Sequence, residues 1–278
     1  LLIAAGASVL AVAVAEAARR RLPGLFDRVS RPVGTAFPLF LAHMAFFETF
    51  AGLFGRRPFQ GVGILVLLVA GGFAWWHIIH WTPPRSEFPV QGVEIGMDDG
   101  RADFTALRAI GADFVYLEAS NGENSHDLEF ARNLAAALAA GLQVGAVHAY
   151  DPCLAAEKQS ANFVTVVPRD AGLLPPAIAL DKLADDCPER VSDAMVESEL
   201  TTFLNQIEGH AGKPAVLKIS SGFEARYGLA HRVGRGLWLS RTRFQPDYGG
   251  RPWTLWTANA MLRSDASAYP LRWVVLQP

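Results

Sequence analysis

"GADFVYLEASNGENSHDLEFARNLAAALAAGLQVGAVHAY", residues 111–150, is the stretch whose reading decides the fold. Phe114 to Leu117 is a short run of apolar and aromatic residues that ends at an acid, Glu118. A Gly, Asn and Ser-rich break follows, and Leu128 to Ala140 then repeats its apolar residues at helical spacing. Val144 to His148 is a second short apolar run. Strands that are apolar throughout, rather than alternating, are covered on both faces, and a helical period between two of them is the mark of a strand-helix-strand unit.

The same pattern extends in both directions. Further strands are expected at Val93–Ile95, Ala177–Leu180, Ala215–Ile219, Leu237–Leu239, Thr254–Trp256 and Trp273–Leu276, and helices at Phe104–Ile110, Ala155–Val166 and Ser192–Gly209. Eight strands with helices between the early ones predict an α/β fold with a parallel sheet or a compact TIM-like barrel. Helices are poorly marked after Ile219, and Ser220 and Ser221 read as the polar start of a loop.

Composition separates the chain into unlike parts. It is 51% hydrophobic and 19% charged with a net charge of −2, which argues against a nucleic-acid partner. Residues 1–82 read as a membrane region, 83–91 as a connector and 92–278 as the barrel domain. The run Val62 to Trp81 has no formally charged side chain and is about the length of a bilayer-crossing helix. Arg56 and Arg57 precede it and Trp75, Trp76 and Trp81 cluster at its far end, so the barrel is expected outside the cytoplasm, on the periplasmic or extracellular side of a bacterial inner membrane. Leu1 to Ala15 is a second apolar segment, and Val33 to Phe54, interrupted by Pro38, His43 and Glu48, reads as interfacial. The first methionine is Met44, so an alternative reading makes residues 1–43 upstream sequence.

In a barrel of this kind, functional side chains lie at the carboxyl ends of strands. Those ends carry Glu94, Glu118, His148 with Tyr150, Asp181 and Trp256, with Trp253 close by. Paired carboxyls flanked by aromatic rings suit glycoside hydrolysis, one acid protonating the leaving oxygen and the other meeting a cationic centre. Capping acids, a buried core histidine and core tryptophans are the competing readings of the same residues. Asp98, Asp99, Asp185 and Asp186 read as solvated loop acids. No cluster has zinc spacing, and there is no phosphate loop, dinucleotide fingerprint or GxSxG elbow, so neither metal nor cofactor is expected. Cys153 and Cys187 follow neighbouring strands and are expected to pair as a disulfide.

Residues 90–278 resemble the glycoside hydrolase family 25 lysozymes, the Chalaropsis-type muramidases. The resemblance rests on "GVEIGMDDG", "DFVYLEASNG", "DLEFARNLAAALAAGLQVGAVHAY", "LLPPAIALD", "GKPAVLKIS" and "PWTLWTAN", taken in order. It implies a flattened barrel that cleaves the β-1,4 bond between N-acetylmuramic acid and N-acetylglucosamine, with peptidoglycan strands as the partner. It also implies an altered site. Glu94 stands where the family has Asp, and Ala179-Leu180-Asp181 replaces the family's Asp-x-Glu. Glu118 replaces a frequent Lys, and Arg272 falls where an Asp is expected. By that correspondence Asp181 is the catalytic acid, Glu94 and Glu118 its partner carboxylates, and His148, Tyr150, Trp253 and Trp256 the pocket. A weak muramidase, a glycan-binding pseudoenzyme and a structural membrane protein all remain open readings.

Overall fold

The computed structural model describes residues 58–278; the segments expected over Leu1–Ala15 and Val33–Phe54 lie outside the described residues. The chain divides into two compact units, 1–75 and 76–278. Helix α1, Pro58–Ile79, runs across that division. Residues 63–78 of this helix are exposed on every face, including Leu67, Leu68, Phe73 and Trp75. Among the described residues no helix is long and apolar enough to cross a membrane.

The second unit is a closed barrel. Strands β1 (Gln91–Ile95), β2 (Phe114–Asn121), β4 (Gln143–Ala149), β5 (Ala177–Leu180), β6 (Val216–Ile219), β7 (Gly236–Ser240) and β8 (Leu255–Leu262) are joined in parallel pairings. β9 (Leu271–Leu276) closes the ring between β8 and β1, antiparallel to both. An all-parallel ring therefore does not form. Only a short connection separates β8 from β9, enough for a hairpin and too little for the helical crossover that a parallel strand needs. β3 (Ser125–His126), not marked by any apolar run, is a two-residue hairpin partner of β2.

Five helices follow strands of the barrel: α2 (Phe104–Ala109), α3 (Phe130–Ala139), α4 (Ala156–Val166), α5 (Asp193–Ala211) and α6 (Ser221–Tyr227). α5 shows why such segments are helical. Val196, Leu200, Phe203, Leu204 and Ile207 recur on one face and are buried, the Ser192 hydroxyl accepts from the Met195 amide at the start, and Gly212 ends the helix at φ 67°. α6 was legible only as a loop, yet Ser220 is its cap, accepting from the Phe223 amide.

Strand alternation divides the side chains between two layers. The outer face of the strands and the inner faces of the helices form one large core, with Val115, Leu117, Ile178, Leu180, Phe203, Leu237 and Trp273 among its members. The barrel interior holds a smaller cluster of Phe114, Tyr116, Val147, Ala177, Val216, Trp238, Leu255 and Val274. Gly145 is needed there, because a Cβ would stand 2.6 Å from Cδ1 of Tyr116.

The outer layer takes four residues that the family resemblance assigns to the pocket. Trp256 and Trp253 pack on Phe88, with ring centroids 5.6 and 6.1 Å away, and the Trp256 indole donates to the Arg241 carbonyl. Neither is a pocket wall, since Trp256 alternates outward from inner Leu255. Tyr150 is buried against Phe203 at 5.5 Å, and burial raises the affinity of its hydroxyl for the proton. His148 is fully buried, 2.8 Å from the Ser120 hydroxyl through Nδ1 and 4.7 Å from the Phe203 ring. It is a core histidine under the strand ends.

Two predictions follow from this packing. Gly145→Ala overpacks the interior against Tyr116 and lowers stability by about 1–3 kcal/mol in urea unfolding. Burial pushes the His148 imidazole down from 6.5 to about 4, with Gln159 opposing weakly, so the folded state holds it neutral where the unfolded chain takes up a proton. Stability from this group is complete above pH 6.5 and is lost as pH falls toward 4, on the order of 3 kcal/mol in all. Unfolding midpoints measured across that window should show this slope, and His148→Gln should flatten it.

Candidate active site

The carboxyl ends of the parallel strands form one mouth, and the inward positions there are polar. Glu94 on β1 is inward by alternation with Val93 and Ile95, and only 4% of it is exposed. Burying a carboxylate so deeply requires compensation. Lys218, inward on β6, donates to Glu94 Oε1, and the Arg272 Nε lies 3.2 Å from Glu94 Oε2. β9 register places Arg272 directly opposite Glu94. The second contact brings charges together without hydrogen-bond alignment, leaving Glu94 Oε2 and Arg272 Nε without hydrogen-bond partners among the described residues.

Arg272 also reaches Asp99, 2.5 Å from its Oδ2, and the same oxygen accepts from the Gly96 amide at 2.6 Å. Asp99 is therefore part of the site rather than a solvated loop acid. Burial opposes the charge of Arg272, but Glu94 and Asp99 outweigh it and hold the guanidinium more firmly protonated than usual. Glu118 on β2 completes the group, its Oε2 accepting from the Met97 amide at 3.1 Å. A β-bulge between Glu118 and Ser120 shifts the register at that point. Burial raises the Glu118 pKa, the negative charge of Glu94 adds to the shift, and the Met97 amide, Arg272 and Lys218 oppose it. Gly96 makes the cluster possible, since a Cβ there would stand 2.7 Å from Arg272 Nη2 and 3.0 Å from Glu118 Oε2.

Asp181 differs in kind. It follows the last residue of β5 at the same mouth, two positions beyond inward-facing Ala179, and it is exposed with no ion pair or side-chain hydrogen bond to any described residue. Its neighbours are restrained instead. Lys182 pairs with Asp151 at 2.7 Å, and Cys153 and Cys187 form a disulfide joining the loops after β4 and β5.

The structure thus brings Glu94, Glu118 and Asp181 to one mouth and leaves His148, Tyr150, Trp253 and Trp256 in the outer layer. It adds Lys218 and Asp99, which the sequence reading does not assign to the site, and gives Arg272, expected there only as a substituted family position, its partners Glu94 and Asp99. Lys218 had a signal: a lone lysine inside "AVLKI" is either exposed at an edge or paired in an interior. Its ammonium also lies 5.3 Å from the Trp238 ring centroid. Asp151, Cys153 and Cys187 are close enough to hold a metal, but both sulfurs are committed to the disulfide.

Comparisons with known proteins agree with this architecture. A family 25 glycosyl hydrolase from Bacillus anthracis superposes with a TM-score of 0.64 at 22% identity, covering 73% of this chain and 94% of that one. A bacterial lysozyme from Streptomyces coelicolor gives 0.60 at 19% identity, covering 68% and 92%. At these identities the likeness carries the fold. Among curated proteins, the uncharacterized protein YegX of Escherichia coli O157:H7 is 23% identical over 178 residues, 62% of this chain and 63% of the relative, so the chain spans less than two thirds of that relative's length. Residues 93–260, more than half of the chain, match the profile of Glycosyl hydrolases family 25, and the chain belongs to that family.

Proposed function

We propose that this protein is a membrane-attached, lysozyme-like glycoside hydrolase acting slowly on the β-1,4 bond between N-acetylmuramic acid and N-acetylglucosamine in peptidoglycan. The observation that carries the reading is the meeting of Glu94, Glu118 and Asp181 at one mouth of a family 25 barrel. Asp181 is the proton donor to the leaving oxygen. Glu94, paired with Lys218 and Arg272, supplies negative charge to the oxocarbenium-like centre, and Glu118 is a second carboxyl able to hold a proton because burial raises its pKa. Turnover is slow because Ala179 leaves no carboxylate beside Asp181 and because the field of Glu94 is largely spent on its two cations. Attachment rests on α1, since a helix apolar on all faces with residues 63–78 exposed is suited to lipid. We place the barrel on the periplasmic or extracellular side, where a disulfide persists.

The pairing of Glu94 with two cations and the loss of a carboxylate at Ala179 favour a second reading, a glycan-binding protein that does not cut. Mass spectrometry of purified peptidoglycan after incubation with the full chain separates the two. New reducing-end muramic acid products are expected, falling about 100-fold or more in Asp181→Asn and by a smaller factor in Glu118→Gln. Retained glycan binding with no products from the unaltered protein would establish the second reading.

A further inference from the structure

The amino-terminal residues of the barrel unit are fastened to the rim of the mouth. The Arg263 amide donates to the Ile79 carbonyl at 2.9 Å, and the buried Asn259 amide group donates to the Trp81 carbonyl at 2.8 Å. Register fixes the height of these contacts. Asn259 pairs with Trp273, which pairs with Val93 beside Glu94, and Leu262 pairs with Leu271, one residue beyond the Arg272–Glu94 level. From the rim, the connector descends the outside of the barrel, Phe88 packing on Trp253 and Trp256, to reach the start of β1. The chain therefore enters the barrel unit at the mouth end.

The rim around this attachment has its own surface character. Phe244, Met261 and Tyr269 are 65%, 56% and 54% exposed, and all lie in or beside the segments that leave β7, leave β8 or enter β9 at the mouth. Arg243 takes φ 72°, donates its amide to the Ala258 carbonyl and sets its guanidinium 5.8 Å over the Trp81 ring. Arg263 is exposed on the same side. Arg241 is engaged by Asp247, and exposed Asp265 offsets part of the basic charge. Exposed apolar side chains, a tryptophan and arginines beside the exit of an apolar helix form the composition of a lipid headgroup boundary.

We propose that the β7–β9 rim rests on the bilayer surface, so that the mouth accepts membrane-held glycan, a lipid-linked muramic-acid-containing chain, in preference to free glycan. This rests on the membrane-attached hydrolase reading above. The surface gathers the substrate in two dimensions, and the short tether fixes the height at which a sugar can meet Asp181 and Glu94.

The test uses the full chain in vesicles of phosphatidylethanolamine and phosphatidylglycerol, with the same oligosaccharide supplied either lipid-linked in those vesicles or free in solution. Binding and cleavage are both followed. The lipid-linked form should be bound or cleaved at least tenfold better at equal total concentration. A flexible 30-residue Gly-Ser insertion between Trp75 and Trp76 adds a reach of roughly 30 Å and should erase most of that preference, and Phe244→Ser with Met261→Ser should reduce it. Equal handling of both forms by the unaltered chain would overturn the inference while leaving the hydrolase reading intact. A preference untouched by insertion and rim changes would overturn it as well. Failure to bind or cut either form would remove the hydrolase reading and this inference together.

Discussion

A carboxylate buried inside a barrel has to be answered by positive charge, and the two cations that answer Glu94 come from different parts of the ring. Lys218 arrives from β6 and Arg272 from β9, the strand hydrogen-bonded to Glu94's own. Desolvating such charges costs several kcal/mol each, so the group stands only as a complete set. Arg272 passes the constraint to Asp99, and Asp99 to the backbone after β1 through the Gly96 amide. Glu118 holds the next amide, that of Met97. One network therefore ties together β1, β2, β6, β9 and the turn after β1, and the strand-end acid Asp181 stands outside it.

Much of the architecture was legible because short apolar strands and capped amphipathic helices have unlike periods. The expected runs at Phe114–Leu117, Ala177–Leu180 and Ser192–Gly209 correspond closely to β2, β5 and α5. β3 escaped notice because two exposed polar residues carry no pattern, and α6 because seven residues with Gly222 inside and Gly228 after them show barely two turns. The reversed direction of β9 was written in the length of the preceding connection rather than in the strand itself.

The site was harder to read, for a reason visible in particular residues. Being near a strand's carboxyl end does not decide which face a side chain takes, and Trp256 is not near one: β8 runs on to Leu262, which leaves Trp256 at its amino end, one step of alternation outside inward Leu255. His148 and Tyr150 fall on the same outward parity as Val144 and Ala146. The acids were found because charge at an apolar strand end is conspicuous. Lys218 was not, because it lies 124 positions from Glu94 and only closure of the ring makes them neighbours.

Closure has a further consequence for the order of assembly. β1 and β9 are the first and last strands of the barrel and are paired with each other. During synthesis every parallel strand can be made, and α2 to α6 docked, while the ring is still open at that seam. Until β9 leaves the ribosome Glu94 has no Arg272, and pairings so distant in sequence form late. The closed mouth is thus the last part of the barrel to form, and an incomplete chain presents an open sheet edge in its place.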